Sequence, residues 1–131
     1  MSPAGGHGAE EIAASRRWIA VARADRERGF HLSACLTAQK AAEAALQGWL
    51  RMRGLDAAGS ALPELLACVP GALPALAGAG ARLERYRLDT ASAWRSSPDA
   101  STAADDTSAL ACCADAEAVL AHVDRLLAEE P

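Results

Sequence analysis

Alanine fills 34 of the 131 positions, and strand-favouring residues are scarce beside it: two Ile, four Val and four Thr. Alanine is the strongest helix former because it loses no side-chain freedom in a helix, whereas sheets are built from β-branched and aromatic side chains. One Phe and one Tyr leave the aromatic side equally thin. This composition predicts an all-α fold. A 51% hydrophobic share at a formal net charge of −4 excludes a disordered chain. The length is that of one domain with a single core.

Periodicity and punctuation place five helices. The first spans 9–28, with Glu10 and Glu11 in its opening turn and an apolar stripe of Ile12, Trp18, Ile19 and Ala22. Gly29 stops it in the left-handed conformation. The second, 30–53, carries two adjacent rows at three-four spacing. Cys35, Ala38, Ala42, Ala45, Trp49 and Met52 form one, and Leu32, Leu36, Gln39, Glu43, Leu46 and Leu50 the other. Its small central residues let a neighbouring helix approach closely, and Gly54 ends it. After a linker at 55–59, Ser60 caps a short helix at 61–68. A fourth helix is expected over 73–94, frayed or kinked where Gly78 and Gly80 each cost about 1 kcal/mol relative to alanine. An exposed loop follows at 95–100. Thr102 with Asp105 then resembles a capping box for a last helix running to about 129 through Leu110, Cys113, Ala116, Leu120, Val123 and Leu127. The expected architecture is an up-down antiparallel bundle of four main helices plus one short one, built from residues 9–131 behind a flexible tail at 1–8.

Charge and cysteine usage narrow the function classes. Twelve Arg and one Lys stand against 17 acids, and the pI is near 5.3. That balance argues against duplex DNA bound through bulk charge, while leaving room for a local arginine cluster. Cys35, Cys68, Cys112 and Cys113 form no C-x-x-C pair, so they are expected to be small buried hydrophobes in a reducing, cytoplasmic setting. Vicinal Cys112 and Cys113 project about 100° apart on a helix and are poorly placed for a disulfide. No apolar run approaches membrane-spanning length, and the first eight residues lack the features of a secretory signal.

The stretch Gly29-Phe30-His31-Leu32-Ser33-Ala34-Cys35-Leu36-Thr37-Ala38-Gln39-Lys40-Ala41-Ala42-Glu43-Ala44-Ala45-Leu46 resembles the signature helix of HEPN domains (higher eukaryote and prokaryote nucleotide-binding), in which an aromatic after a glycine leads into A-Q-x-A-A-E-x-A-L. The later order agrees: a short Leu-Pro-Glu-Leu-Leu helix, then Leu83-Glu84-Arg85-Tyr86, an arginine-containing loop with a proline, and a long final helix. The resemblance covers roughly residues 10–128. It implies a small helical bundle that forms a homodimer. Some such domains are ribonucleases; others bind nucleotide or RNA without cleaving it. Many pair with a minimal nucleotidyltransferase in toxin-antitoxin-like systems.

Three departures matter. Gly29 arrives about two turns early, the histidine often found before the short helix is replaced around Ser60 and Ala61, and the family's arginine-tyrosine-proline stretch is here an irregular run from Thr90 to Pro98. The Arg-x(4–6)-His element of the ribonucleases is absent after residue 80, since His122 has its nearest upstream arginine at Arg95. Arg26 and His31 satisfy the spacing across the Gly29 turn, a match of the kind chance supplies among twelve arginines and three histidines. No catalytic residue is assigned on this basis.

The remaining candidates are binding residues. Gln39 and Glu43 lie one turn apart in an otherwise apolar row, so the carboxylate must meet a partner or solvent. They form either a structural network or the lining of a polar cleft. Arg85, Arg87 and Arg95 with Tyr86 and Trp94 are the one cluster mixing cations with aromatics, suited to phosphates and stacked bases, or else a solvated face with a core tyrosine. Arg85 and Arg87 lie on different helix faces. His31 and Cys35 have zinc-compatible spacing but no third or fourth ligand, so no metal site is assigned. No phosphate-cradling glycine loop is present, and no cofactor is expected. The preferred function is a non-catalytic, dimeric domain binding a nucleotide, RNA or a nucleotidyltransferase, through Gln39, Glu43, Arg85, Tyr86 and Arg95. The alternatives are a metal-independent ribonuclease using His31 or His122 and a structural helical adaptor.

Overall fold

A computed structural model of the chain describes residues 3–57, 59–87 and 104–130. Among these the secondary structure is helical, with no strand: α1 (Pro3–Glu27), α2 (His31–Arg51), α3 (Leu62–Ala67), α4 (Ala77–Glu84) and α5 (Asp106–Ala128). The all-α bundle read from composition is the observed architecture.

The α1–α2 hairpin is set by Gly29. Its φ of +82° turns the chain, and the Phe30 amide then donates back to the Asp25 carbonyl at 2.8 Å, closing the last turn of α1. Gly54 repeats the device at the end of α2, with φ +78° and the Leu55 amide on the Leu50 carbonyl. Phe30, expected as the first residue of the second helix, is its N-cap and is 57% exposed.

α2 packs against each of the other four helices. Ala34, Ala38, Ala41, Ala42 and Ala45 are completely buried along it, with Cys35, Leu46, Trp49 and Leu50. The small side chains let α1 come close. The Ser15 hydroxyl, itself buried, donates to the Ala41 carbonyl at 2.7 Å. A Cβ on Gly48 would fall 2.7 Å from the Gly8 carbonyl oxygen and 2.9 Å from Ile12 Cγ1. α1 starts at Pro3 rather than at residue 9. Leu46 and Leu50, from the second of the two rows, are buried within the single chain, whereas Leu32 at its start is exposed.

α5 runs antiparallel to α1. Arg16 pairs with Asp124, Arg23 with Glu117 and Arg26 with Asp106, so rising numbers on one helix meet falling numbers on the other. These exposed pairs are worth about 0–1 kcal/mol each and fix register more than stability. α5 runs in the same direction as α2, and just past their ends Arg53 pairs with Glu130 while its guanidinium lies 4.0 Å over the Trp49 ring.

The fourth helix is far shorter than 73–94. It covers Ala77–Glu84; residues 73–76 are turns, closed by the Leu76 amide on the Ala72 carbonyl. Gly78 and Gly80, expected to fray or kink it, lie inside the regular helix. A Cβ on Gly80 would sit 2.5 Å from Leu66 Cδ1, so glycine lets α4 press on α3, and packing outweighs propensity. Asp105 is the N-cap of α5, accepting the Ser108 amide at 2.8 Å and the Ser108 hydroxyl at 3.0 Å. Thr102 and the predicted loop at 95–100 lie outside the described residues.

Candidate functional site

The α1–α2 hairpin and the turn after α4 enclose a cleft of about 440 Å³, within the range of small-molecule sites (about 300–1,000 Å³). α2 supplies its floor. Leu36, Gln39, Lys40 and Glu43 fall at helical spacing on the side that faces it, Trp18 comes from α1, and Tyr86 with Arg87 follows α4.

The polar floor is organised along α2. Gln39, 6% exposed, donates through Nε2 to Glu43 Oε2 at 2.8 Å, and Gln47 Nε2 donates to Glu43 Oε1 at 3.3 Å. The carboxylate in the apolar row is thus satisfied by two amides and still borders the cleft. The structural network and the cleft lining, read from sequence as alternatives, are both features of this pair.

The cations are held differently. Lys40 Nζ sits 5.0 Å over the Trp18 ring, a cation–π contact, and the described residues give it no ion pair. Arg87 donates through Nη1 to Glu84 Oε2 at 3.3 Å and through Nη2 to the Gly59 carbonyl at 2.5 Å. Glu84 in turn accepts the Leu62 amide at the start of α3, at 2.9 Å. Arg87 is therefore positioned by two elements, with guanidinium donors to spare. Tyr86 is half-buried against the core, and its hydroxyl is turned toward Cys35 and Ser108. Burial pushes its phenol above the ordinary value.

Of the residues singled out from sequence, Gln39, Glu43 and Tyr86 meet in this cleft. Arg85 is exposed and does not line it; Arg87, on the other face of the chain there, does. Trp94 and Arg95 lie outside the described residues. Trp18 and Lys40 were not anticipated. Trp18, read as part of the apolar stripe, is 37% exposed while Ile12, Ile19 and Ala22 are buried. The available signal was position: Lys40 lies between Gln39 and Glu43 on the same helix.

The histidines read for the ribonuclease alternative lie elsewhere. Arg26 and His31 do come together, both on Asp106. Arg26 binds it through two nitrogens at 3.0 and 3.1 Å, and His31 Nε2 is 3.8 Å from it. His122 Nε2 is 2.7 Å from the Pro70 carbonyl oxygen, and its Nδ1 is 3.4 Å from Arg125. Neither lines the cleft. Among the described residues no three His, Cys, Asp or Glu side chains converge as metal ligands.

The fold is that of HEPN domains. TT1696 from Thermus thermophilus is 26% identical to this chain, covering 91% of it and 97% of its own length, with a TM-score of 0.79. ST0689, described as an archaeal HEPN homologue, is 20% identical over 92% of this chain and 97% of its own, with a TM-score of 0.74. TM0613 from Thermotoga maritima, described as an HEPN domain protein, is 21% identical over 92% and 99%, with a TM-score of 0.72. No family model matches the sequence, and no curated protein does.

Proposed function

We propose that this bundle is a non-catalytic binding domain that takes a nucleotide, free or within single-stranded RNA, in the cleft between Trp18, the Gln39–Glu43 face of α2 and the Tyr86–Arg87 turn. The observation that carries the proposal is the meeting in one cavity of two aromatic rings, two cations and a hydrogen-bonded amide–carboxylate pair. Lys40 and Arg87 supply the charge for phosphate, and aromatic faces suit a base. The likeness to HEPN proteins agrees in fold. The ribonuclease alternative is disfavoured because the Arg26 guanidinium is occupied by Asp106 and neither His31 nor His122 borders the cavity.

The proposal extends to a homodimer, joined through the exposed side chains Val21, Phe30 and Leu32, and to a minimal nucleotidyltransferase as its protein partner. The test is thermal unfolding with mononucleotides at millimolar concentration. A ligand at 100 times its Kd adds about 2.7 kcal/mol to the native state, a rise of several degrees in Tm for a chain of this size. Lys40→Ala is expected to abolish the rise. No shift with any nucleotide or with short RNA would leave the structural adaptor as the better account, and RNA cleavage lost in His31→Ala or His122→Ala would restore the ribonuclease.

A further inference from the structure

We infer that the cleft selects guanine among the common bases. The inference rests on the cleft being the nucleotide site and concerns what its floor recognises. Glu43 Oε2 already accepts from Gln39, and Oε1 from Gln47. Each carboxylate oxygen has capacity for a further hydrogen bond, and none can be donated. Because its neighbour is a carboxylate, the nitrogen of Gln39 is the atom that faces Glu43, which leaves the acceptor Oε1 and one further N–H on a nearly buried side chain. Ser33, also on the wall, has its hydroxyl proton committed to Asp25 Oδ2 at 2.8 Å. Glu43 and Ser33 therefore present acceptors, Gln39 presents an acceptor beside its second N–H, the Thr37 hydroxyl can serve in either sense, and Lys40 and Arg87 are cations suited to phosphate.

A base edge that meets the Glu43 carboxylate must bring donors. Guanine carries two adjacent ones, N1–H and the 2-amino group, on its Watson–Crick edge and fits a carboxylate in bidentate fashion. Adenine and cytosine each place an acceptor beside their amino group, and uracil flanks its single N–H with two carbonyls. For these bases an acceptor would face an acceptor, leaving buried polar groups unpaired, and sites of that kind discriminate strongly.

The experiment is titration of the intact protein with GMP, IMP, AMP, CMP and UMP at fixed salt, followed by calorimetry. GMP is expected to bind at least about tenfold more tightly than AMP, with IMP, which lacks the 2-amino group, between them. Glu43→Gln, checked for unchanged helicity, is expected to bring GMP and AMP within about threefold, because the new amide donor can serve adenine as well. The pentanucleotides UUGUU and UUAUU tell free nucleotide from RNA: a guanine preference confined to GMP assigns the former, and one that extends to UUGUU assigns the latter. AMP binding as tightly as GMP, or an unchanged ratio in Glu43→Gln, overturns guanine selection while leaving a nucleotide site. Absence of binding by every ligand overturns the underlying reading too.

Discussion

Arg82 closes both arms of its guanidinium on Asp115, at 2.8 and 2.9 Å, and Asp115 is the buried partner, only 8% exposed. The pair ties α4 to α5 and holds the arginine above its ordinary pKa, chiefly through the hydrogen bond to Asp115. Arg82→Leu strands a charge in the protein. The expected loss exceeds that of an exposed pair and falls short of that of a fully buried one, because Arg82 is itself largely exposed. Urea unfolding of the variant checks it. A loss below the error of the fit would show that the pair is only a surface contact.

Asp105 caps α5, and the Ser108 backbone amide followed by the Ser108 hydroxyl holds its carboxyl below the usual carboxylate range. A depressed folded pKa stabilises the protein above the unfolded value, about 3.9, and that stabilisation disappears as pH falls through the folded one. Asp105→Ala is expected to lower Tm by a few degrees at neutral pH, with the gap to the parent protein closing as pH falls below the unfolded carboxylate's value. Paired thermal melts across that range measure it, and a pH-independent gap would contradict the capping account.

The cysteines differ sharply in access. Cys68 is exposed, whereas Cys35, Cys112 and Cys113 are buried. The neighbouring Cys35 and burial push the Cys112 thiol far up, and burial raises Cys113, while contact with Cys112 lowers Cys35. Native protein treated briefly with a maleimide is expected to take one label, at Cys68, and all four after denaturation. Two or more labels in the native state would show that the α2–α5 seam opens readily.

Val21 is 43% exposed on α1 and Leu32 38% exposed on α2. If these side chains join two copies, light scattering at micromolar concentration returns twice the chain mass, and Val21→Asp returns the monomer. A parent protein that is already monomeric removes the homodimer from the proposal.

The sequence made some elements plain for physical reasons. α2 was legible because a long apolar period bounded by two glycines has one helical solution, and Gly29 and Gly54 both adopt the left-handed turn that ends a helix. α4 was not, because its length depends on Gly80 pressing against Leu66, a contact between elements that no local propensity encodes. In the cleft, Gln39 and Glu43 stood out as polar residues in an apolar row, and Tyr86 as an aromatic set among arginines. Trp18 and Lys40 did not, since whether a helical side chain faces solvent, core or cavity is decided by what lies opposite. Arg87 rather than Arg85 reaches the cleft because α4 ends at Glu84 and the chain turns there, which alters the faces expected of a continuous helix.

The central claim is where the ligand sits. Two-dimensional amide NMR of the ¹⁵N-labelled protein titrated with GMP tests it most directly. The account predicts shifts concentrated in the Trp18 indole, the Gln39 side-chain amide and the backbone of residues 36–43 and 86–87, with the Trp49 indole and the α1–α5 seam unmoved. Shifts centred on His31, His122 or the seam, or none at saturating nucleotide, would contradict it.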